Sequence, residues 1–285
     1  MKHVKRVTWF ISIAPAFIVC FAFSRSAEAG CVQDALRRML NSTDRRAPGR
    51  SVSFSERAQQ EIWTQEGRLA QNIRGRVAQS LQTARLTKLE KMMDGANLPD
   101  LVRIEGTNLR GIMKSYRVGD RNVGAGEVAA SEVDALLGVD AVPLTIARMN
   151  GAERVTVQLF VPNQGRWGGA NPREFAFFDD LVGQTDRNTP NYLNADGRLV
   201  RIDNEQAFNE TRTVSTFENL VSETTDPAQL RSILPTREVD LALRRTSEST
   251  WRQALVNLEP RQIDAFLQRR RDLIRVLDGV RARYG

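Results

Sequence analysis

Apolar positions along the chain fall into three regimes. The first is a continuous apolar run from Val7 to about Phe23, behind a basic leader of Lys2, His3, Lys5 and Arg6. Roughly 17 residues with Pro15 among them is marginal for a spanning helix. Ala27 and Ala29, just beyond, supply the small residues that a signal peptidase needs. The pattern predicts a signal peptide over 1–29, cleaved after Ala29, and therefore export. An uncleaved signal anchor is the alternative reading. Cys31 after Gly30 meets one requirement of lipidation, but Glu28 stands where that pattern wants an apolar residue.

The second regime is helical. Asp34 to Leu40 suits a short helix, and residues 51–54 a connector. From Ser55 to about Met93, Ile62, Leu69, Ile73, Val77 and Leu81 recur at three- and four-residue spacing, without proline. Gly67 and Gly75 are the only weak points. This predicts one long helix that packs against a lobe; a partner-binding helix is the alternative.

In the third regime, short apolar runs alternate with turn residues. Residues 101–104 and 111–118 read as two strands around a turn at Gly106 to Asn108. A helix follows from Glu127 to Leu137, ended by Gly138. Strands 142–148 and 155–161 flank the hairpin signal Asn150-Gly151. Residues 162–171 read as a crossing between lobes. Beyond it the chain turns helical from about Arg173 to Val182, has short strands near 192–193 and 199–202, and is mostly helix from about Ser215. The predicted architecture is α+β and two-lobed. A helical extension (30–99) precedes a strand-rich N-lobe (100–165) and a helical C-lobe (166–285).

Composition narrows the chemistry. The one histidine is His3, and the two cysteines are Cys20 and Cys31. Cleavage after Ala29 leaves no histidine and one thiol. Ser-His-Asp and Cys-His mechanisms, His-containing zinc or non-haem iron sites and an internal disulfide are then excluded. Catalysis must rest on carboxylates, Lys, Arg, Asn, hydroxyls and bound metal. The formal charge is +7, and the leader holds four Lys/Arg and one Asp/Glu, so the remainder is near +4. Aromatics are scattered, with no basic stripe between them, which argues against nucleic acid. Acidic substrates or an anionic membrane surface remain as basic-charge partners.

The chemistry concentrates between Asp179 and Phe208. Asp186 and Asn191 lie five apart on an expected loop, and Asp203 follows twelve residues later, beyond a hairpin turning at Asn194 to Gly197. Phosphoryl transfer uses such a set. One carboxylate orients the attacking hydroxyl and takes its proton, while an amide oxygen and a second carboxylate hold Mg²⁺ against the phosphates.

This stretch resembles the catalytic and metal loops of the atypical kinases: the four-jointed and Golgi casein kinase group, the phosphatidylinositol 3-/4-kinase-like enzymes and the HipA-like kinases. Their pattern is roughly Gly-Asn-x-Asp-Arg-His-x-x-Asn-x-Leu, then Ile-Asp-x-Gly-x-Ala-Phe. This chain has Gly183-Gln184-Thr185-Asp186-Arg187-Asn188-Thr189-Pro190-Asn191-Tyr192-Leu193, then Ile202-Asp203-Asn204-Glu205-Gln206-Ala207-Phe208. Upstream, Gly111 to Lys114 is similar to the strand bearing the phosphate-contacting lysine. Glu127 to Gly138 with Val142-Pro143 is similar to the helix that follows, Val157 to Phe160 to the strand entering the hinge, and Gln262 to Leu277 to the closing helix. The likeness spans about 100–278.

The resemblance implies a two-lobed kinase-like fold, ATP, and Mg²⁺ or Mn²⁺. It implies Asp186 as catalytic base, Lys114 on phosphate with Glu127 as its partner (Glu132 being the weaker candidate), Gln158 at the nucleotide, and Asn191 and Asp203 on metal. It also implies Ser/Thr of proteins as substrate, with lipid or sugar as alternatives, and nucleotidyl transfer is not excluded by the motif. Gly119, Gly124 and Gly126 read either as a phosphate loop or as a plain turn. Three departures stand out: Asn188 replaces the usual histidine, Gln184 the usual asparagine, and Asn204-Glu205 the usual x-Gly. Glu205 either adds a metal contact or faces solvent. These changes leave a nucleotide-binding pseudokinase, acting as a partner-binding module, as the alternative.

Overall fold

The computed structural model describes residues 66–92, 98–116, 124–139, 141–161, 165, 173–195 and 198–284. The expected leader, the helix at 34–40, the connector at 51–54, Gly119 and nearly all of the crossing at 162–171 lie outside them.

Antiparallel pairing builds the first lobe. Strands β1 (Leu86–Lys91), β2 (Asp100–Ile104), β3 (Arg110–Tyr116), β4 (Thr145–Asn150) and β5 (Glu153–Leu159) form one sheet in the order β1-β2-β3-β5-β4. The period-2 geometry of strands sorts its faces. Met113 pairs with Val157, and both enter a core with Val102, Ile104, Leu109, Val155 and Leu159. Lys114 pairs with Thr156, and Ile112 with Gln158, so these four share the opposite face.

Helix α1 (Glu66–Thr83) covers the core face through Val77 and Leu81. It stops ten residues short of the helix expected to reach Met93, and Leu86–Lys91 forms edge strand β1 instead. Two tertiary contacts override the local helix propensity. Arg148 Nη1 of β4 donates to the carbonyls of Leu81 and Ala84 at 2.8 and 2.7 Å, taking up acceptors at the helix end. Leu86 then pairs with Ile104 of β2. The sheet therefore starts inside the stretch expected to be a helical extension.

Helix α2 (Ala125–Leu137) joins the lobes. Gly124 opens it at φ +83° and Gly138 closes it at φ +66° with a 2.9 Å bond to the Asp134 carbonyl. Gly124 and Gly126 thus begin a helix; they do not belong to a loop over the cleft. Arg74 of α1 donates to the Ser131 carbonyl and hydroxyl at 2.8 and 2.9 Å. Ala125, Ala129, Ala130, Val133 and Leu137 of α2 are buried in the core of the second lobe.

That lobe begins with a 3₁₀ turn (Arg173–Phe175) and α3 (Ala176–Val182). A second 3₁₀ turn (Thr189–Asn191) leads to the hairpin β6 (Tyr192–Ala195) and β7 (Arg198–Arg201). The helices α4 (Ser215–Glu223), α5 (Pro227–Ile233), α6 (Arg237–Arg245), α7 (Glu248–Ala254) and α8 (Pro260–Tyr284) complete it. Phe177 and Phe217 meet edge to face, and Trp251 packs on Phe266, which touches Phe208. Such pairs add about 1 kcal/mol each beyond their burial. Among the described residues no helix is long and apolar enough to cross a membrane.

Candidate active site

The strand-periodic face of β3 delivers Lys114 to the junction of the lobes. Its Nζ donates to Glu127 Oε1 at 2.7 Å, Glu205 Oε1 at 2.9 Å and Asp203 Oδ1 at 3.0 Å. Burial pulls the ammonium down, but the three carboxylates more than reverse this and hold it above the ordinary lysine value. Lys114 therefore stays charged through the neutral range. Glu127 sits in the first turn of α2 and is buried. Tyr116, on the same face of β3, donates to Glu205 Oε1 at 3.4 Å and hydrogen-bonds Thr156 at 3.1 Å.

Close backbone contact keeps Glu127 near Asp203 and Glu205. A Cβ on Gly126 would lie 2.6 Å from the Asn204 carbonyl oxygen and 3.1 Å from that of Glu205. Only glycine allows the first turn of α2 to rest on this loop. Gly126→Ala is expected to destabilise the protein by about 2 kcal/mol through overpacking and to lower its thermal midpoint in a calorimetric scan. An unchanged midpoint would show that the contact is not tight.

Asp203 has a left-handed backbone, φ +58°, which is uncommon for a residue other than glycine. Its neighbours are pinned on both sides by one side chain. Arg187 Nη1 donates to the Ile202 carbonyl at 2.8 Å, and Nη2 to Asn204 Oδ1 at 2.6 Å. The Arg187 Nε is in turn bonded to Asp179 Oδ1 at 3.2 Å, on α3. Gln184 Nε2 donates to the Asp203 carbonyl at 3.2 Å. Arg187 thus fixes the residues on either side of Asp203 through a planar fork that lysine cannot reproduce.

Asp186 faces the same loop. Its backbone N–H and that of Thr185 donate to Gln184 Oε1 at 3.2 and 2.9 Å. Asn188 Nδ2 donates to Asp186 Oδ1 at 3.2 Å, and Gln206 Nε2 to Oδ2 at 3.4 Å. Asn191 Nδ2 donates to the Asp186 carbonyl at 2.7 Å, while the Asn191 carbonyl accepts from Ile202 N–H at 3.0 Å. Asn191 and Ile202 are therefore adjacent across the base of the hairpin. Gln184 and Asn188, both departures from the kinase pattern, are each hydrogen-bonded into the loop through their amides.

A second layer holds these loops from behind. Arg201 is buried, stacks on Phe175 at 3.7 Å and Phe178 at 4.4 Å, and lies 3.8 Å from Asp179. Burial lowers its pKa. Arg269 of α8 donates to the carbonyls of Leu181 and Asn209 at 3.0 and 2.8 Å. Its guanidinium, which burial pulls down to about 10, lies against Gly183, where a Cβ would come within 2.6 Å of Cζ. The residues that enter the Asp186 loop and those that leave the Asp203 loop are tied to one helix.

The structure brings Lys114, Glu127 and Asp203 into direct contact, and joins Asp186 and Asn191 on one loop. Gln158 shares the face of Lys114, its amide donating to Thr145 Oγ1 at 3.2 Å. Glu132, the weaker candidate for Lys114, instead approaches Arg74 at 3.8 Å. Glu205 does not face solvent; it lies on Lys114. Sequence reading missed Tyr116, Asp179, Arg201 and Arg269 as supports of the site. Only Arg269 left a signal, since it lies three residues beyond the buried Phe266 and four before the buried Leu273 on one helix. The donor set fits a hard divalent cation: Glu127, Asp203 and Glu205 offer oxygens within 4.8 Å of one another.

No protein-family model and no curated protein matches the sequence. Among solved structures, the Golgi casein kinase with Mn/ADP bound is 11% identical, with 91% of each chain covered and a TM-score of 0.51. The Helicobacter pylori proinflammatory kinase CtkA is 12% identical over 72% of this chain and 99% of that one, with a TM-score of 0.42. The first likeness shows that the chain has an atypical kinase-like fold.

Proposed function

We propose that the chain is an exported, ATP- and metal-dependent phosphotransferase that acts on Ser or Thr hydroxyls of protein substrates. One observation carries this reading. Lys114 Nζ bonds at once to Glu127 and to Asp203, residues 13 and 89 positions away, which gathers the lysine–glutamate pair and the metal-loop aspartate that kinases use.

In this reading Lys114 neutralises phosphate charge and Glu127 orients it. Gln158, on the same sheet face, contacts the nucleotide. Asp186 accepts the proton of the substrate hydroxyl as its oxygen attacks the γ-phosphorus. The new O–P bond forms as the bond to the bridging oxygen of ADP breaks. Asn191 and Asp203 would hold Mg²⁺ or Mn²⁺, which when bound would offset the negative charge of the phosphates. Mn²⁺ is the first ion to try, because the Golgi casein kinase was solved with Mn/ADP. A charge near +4 after leader removal suits acidic protein substrates and anionic headgroups alike.

A second reading, a nucleotide-binding pseudokinase, draws on the contact of Glu205 with Lys114. The two separate in one assay. The chain is incubated with [γ-³³P]ATP, Mn²⁺ and an acidic Ser/Thr-rich protein, and the labelled residue is identified. Label on Ser or Thr is expected. Label only on added lipid or sugar would move the activity to that substrate class. Nucleotide binding with no transfer to any acceptor would favour the pseudokinase.

A further inference from the structure

Gly279 lies within α8, with none of the positive φ that marks Gly124, Gly138 or Gly183. Glycine in a helix interior is destabilising relative to alanine. Gly126 and Gly183 have close neighbours that exclude a side chain, but a Cβ on Gly279 would meet nothing within 4 Å. Packing among the described residues therefore does not ask for glycine there. Gly279 does border a cavity of about 500 Å³ between α4 and α8, within the size range of ligand sites. The buried lining is apolar, with Val221 from α4 and Val280 from α8. The exposed lining is charged, with Glu218 on α4 and with Arg275 and Arg283 on α8. The two arginines stand four residues either side of Gly279, so all three share one helix face. Arg275 is paired with Asp272 at 2.8 Å. Among the described residues Arg283 has no carboxylate partner and Glu218 no cationic one; the Arg283 guanidinium lies 5.9 Å from the Tyr284 ring.

We infer that this cavity docks an extended segment of the protein substrate, with an acidic side chain on Arg283 and a basic neighbour on Glu218. This deepens the phosphotransferase reading and rests on it for the occupant's being a substrate. Eight residues of helix separate Arg275 from Arg283, about 12 Å at the helical rise, which is the reach of about four extended residues. Charges spread along two walls over that length suit an extended chain better than a compact ligand. Successive side chains of an extended chain point to opposite sides, so an acidic residue turned to α8 turns its neighbours to α4 and Glu218. Gly279 leaves room for the peptide backbone between the two arginines. The cavity is also continuous with the catalytic loops. It begins at Thr213 and Val214, just beyond the segment that leaves the Asp203 loop. In that segment Asn209 N–H donates to the Gly183 carbonyl at 3.2 Å, beside the Asp186 loop, and the Asn209 carbonyl accepts from Arg269 of α8 at 2.8 Å.

The test is titration of the full chain into a fluorescein-labelled eight-residue peptide of alternating Asp and Lys, read by fluorescence anisotropy without nucleotide. Saturable binding by the wild type is expected. Gly279→Leu, which fills the cavity from a position where a Cβ has room, is expected to weaken it tenfold or more while the protein melts as a folded chain. Arg283→Glu, an exposed change that carries the test if the Leu variant does not fold, is expected to weaken it to a similar degree. Adding Glu218→Arg to Arg283→Glu exchanges the charges of the two walls and is expected to restore binding, because the alternating peptide can shift by one residue. No saturable binding by the wild type, or equal binding by wild type and both single variants, overturns the inference. Phosphate transfer to the acidic Ser/Thr-rich protein is then measured on the same samples. Transfer with one and the same KM in wild type and variants would sink the docking site and leave the phosphotransferase reading standing. Peptide binding that follows the variants as expected, in a chain that transfers phosphate to no acceptor, would sink that reading and leave the peptide site.

Discussion

If the chain is the proposed phosphotransferase, Asp203→Asn is expected to reduce metal-dependent phosphoryl transfer at least a thousandfold and to leave the protein folded. The loss follows from charge. Asp203 is one of three carboxylates on Lys114, and in the proposed mechanism it is the anionic ligand beside Asn191. Metal stabilisation of transferring phosphate contributes several kcal/mol, and each 1.36 kcal/mol is tenfold in rate. The fold survives for two reasons. The Asp203 side chain is 46% exposed, so few packing contacts depend on it. Its backbone lies at φ +58°, a region that asparagine tolerates better than most residues, which makes Asn a cleaner probe than Ala. Steady-state transfer with Mn²⁺, beside a thermal melt, checks both halves. A variant that retains more than a tenth of wild-type turnover would remove Asp203 from the mechanism.

With Asp186 as the proposed base, Asp186→Asn is expected to lower kcat by a factor of about 10²–10⁴, the usual worth of a positioned general base, with little change in the apparent affinity for ATP. The carboxylate receives two amide donors, Asn188 Nδ2 on one oxygen and Gln206 Nε2 on the other. A new amide can accept only one of them, so it also rotates away from the productive orientation. The Lys114 cluster is untouched, because Asp186 is not among its partners. A fall in kcat with constant KM is the signature of a group acting only in the transition state. A rise in KM alone would make Asp186 a binding residue and leave the base unassigned.

What the sequence revealed depended on the range over which each feature is decided. The loops at 183–193 and 202–208 carry their chemistry in contiguous residues, so the pattern was legible before any fold was known. The same holds for the turns at Gly106 and Gly151 and for the close of α2 at Gly138, where positive φ falls on glycine. β1 was not legible. Leu86–Lys91 has helix-forming residues, and the contacts that end α1 come from Arg148, 67 and 64 positions away. Glu205 was ambiguous for a similar reason: its partner Lys114 lies 91 positions back, and no local pattern distinguishes that contact from a solvated glutamate. Arg201 is more opaque still. An arginine on a short strand reads as surface, and the rings of Phe175 and Phe178 with the carboxylates of Asp179 and Asp134 make its burial tolerable. In Arg269-Arg270-Arg271 the helical phase distinguishes the members, and the buried one is Arg269, in line with Phe266 and Leu273.

The most direct test of the account is ATP binding and turnover by the purified wild-type chain, with Mn²⁺ and after chelation by EDTA. The account predicts nucleotide binding and γ-phosphate transfer that both depend on the metal. A folded chain that neither binds nor turns over ATP in the presence of Mn²⁺ or Mg²⁺ would contradict it, and would reduce the Lys114 cluster to a structural ion pair within a kinase-like fold.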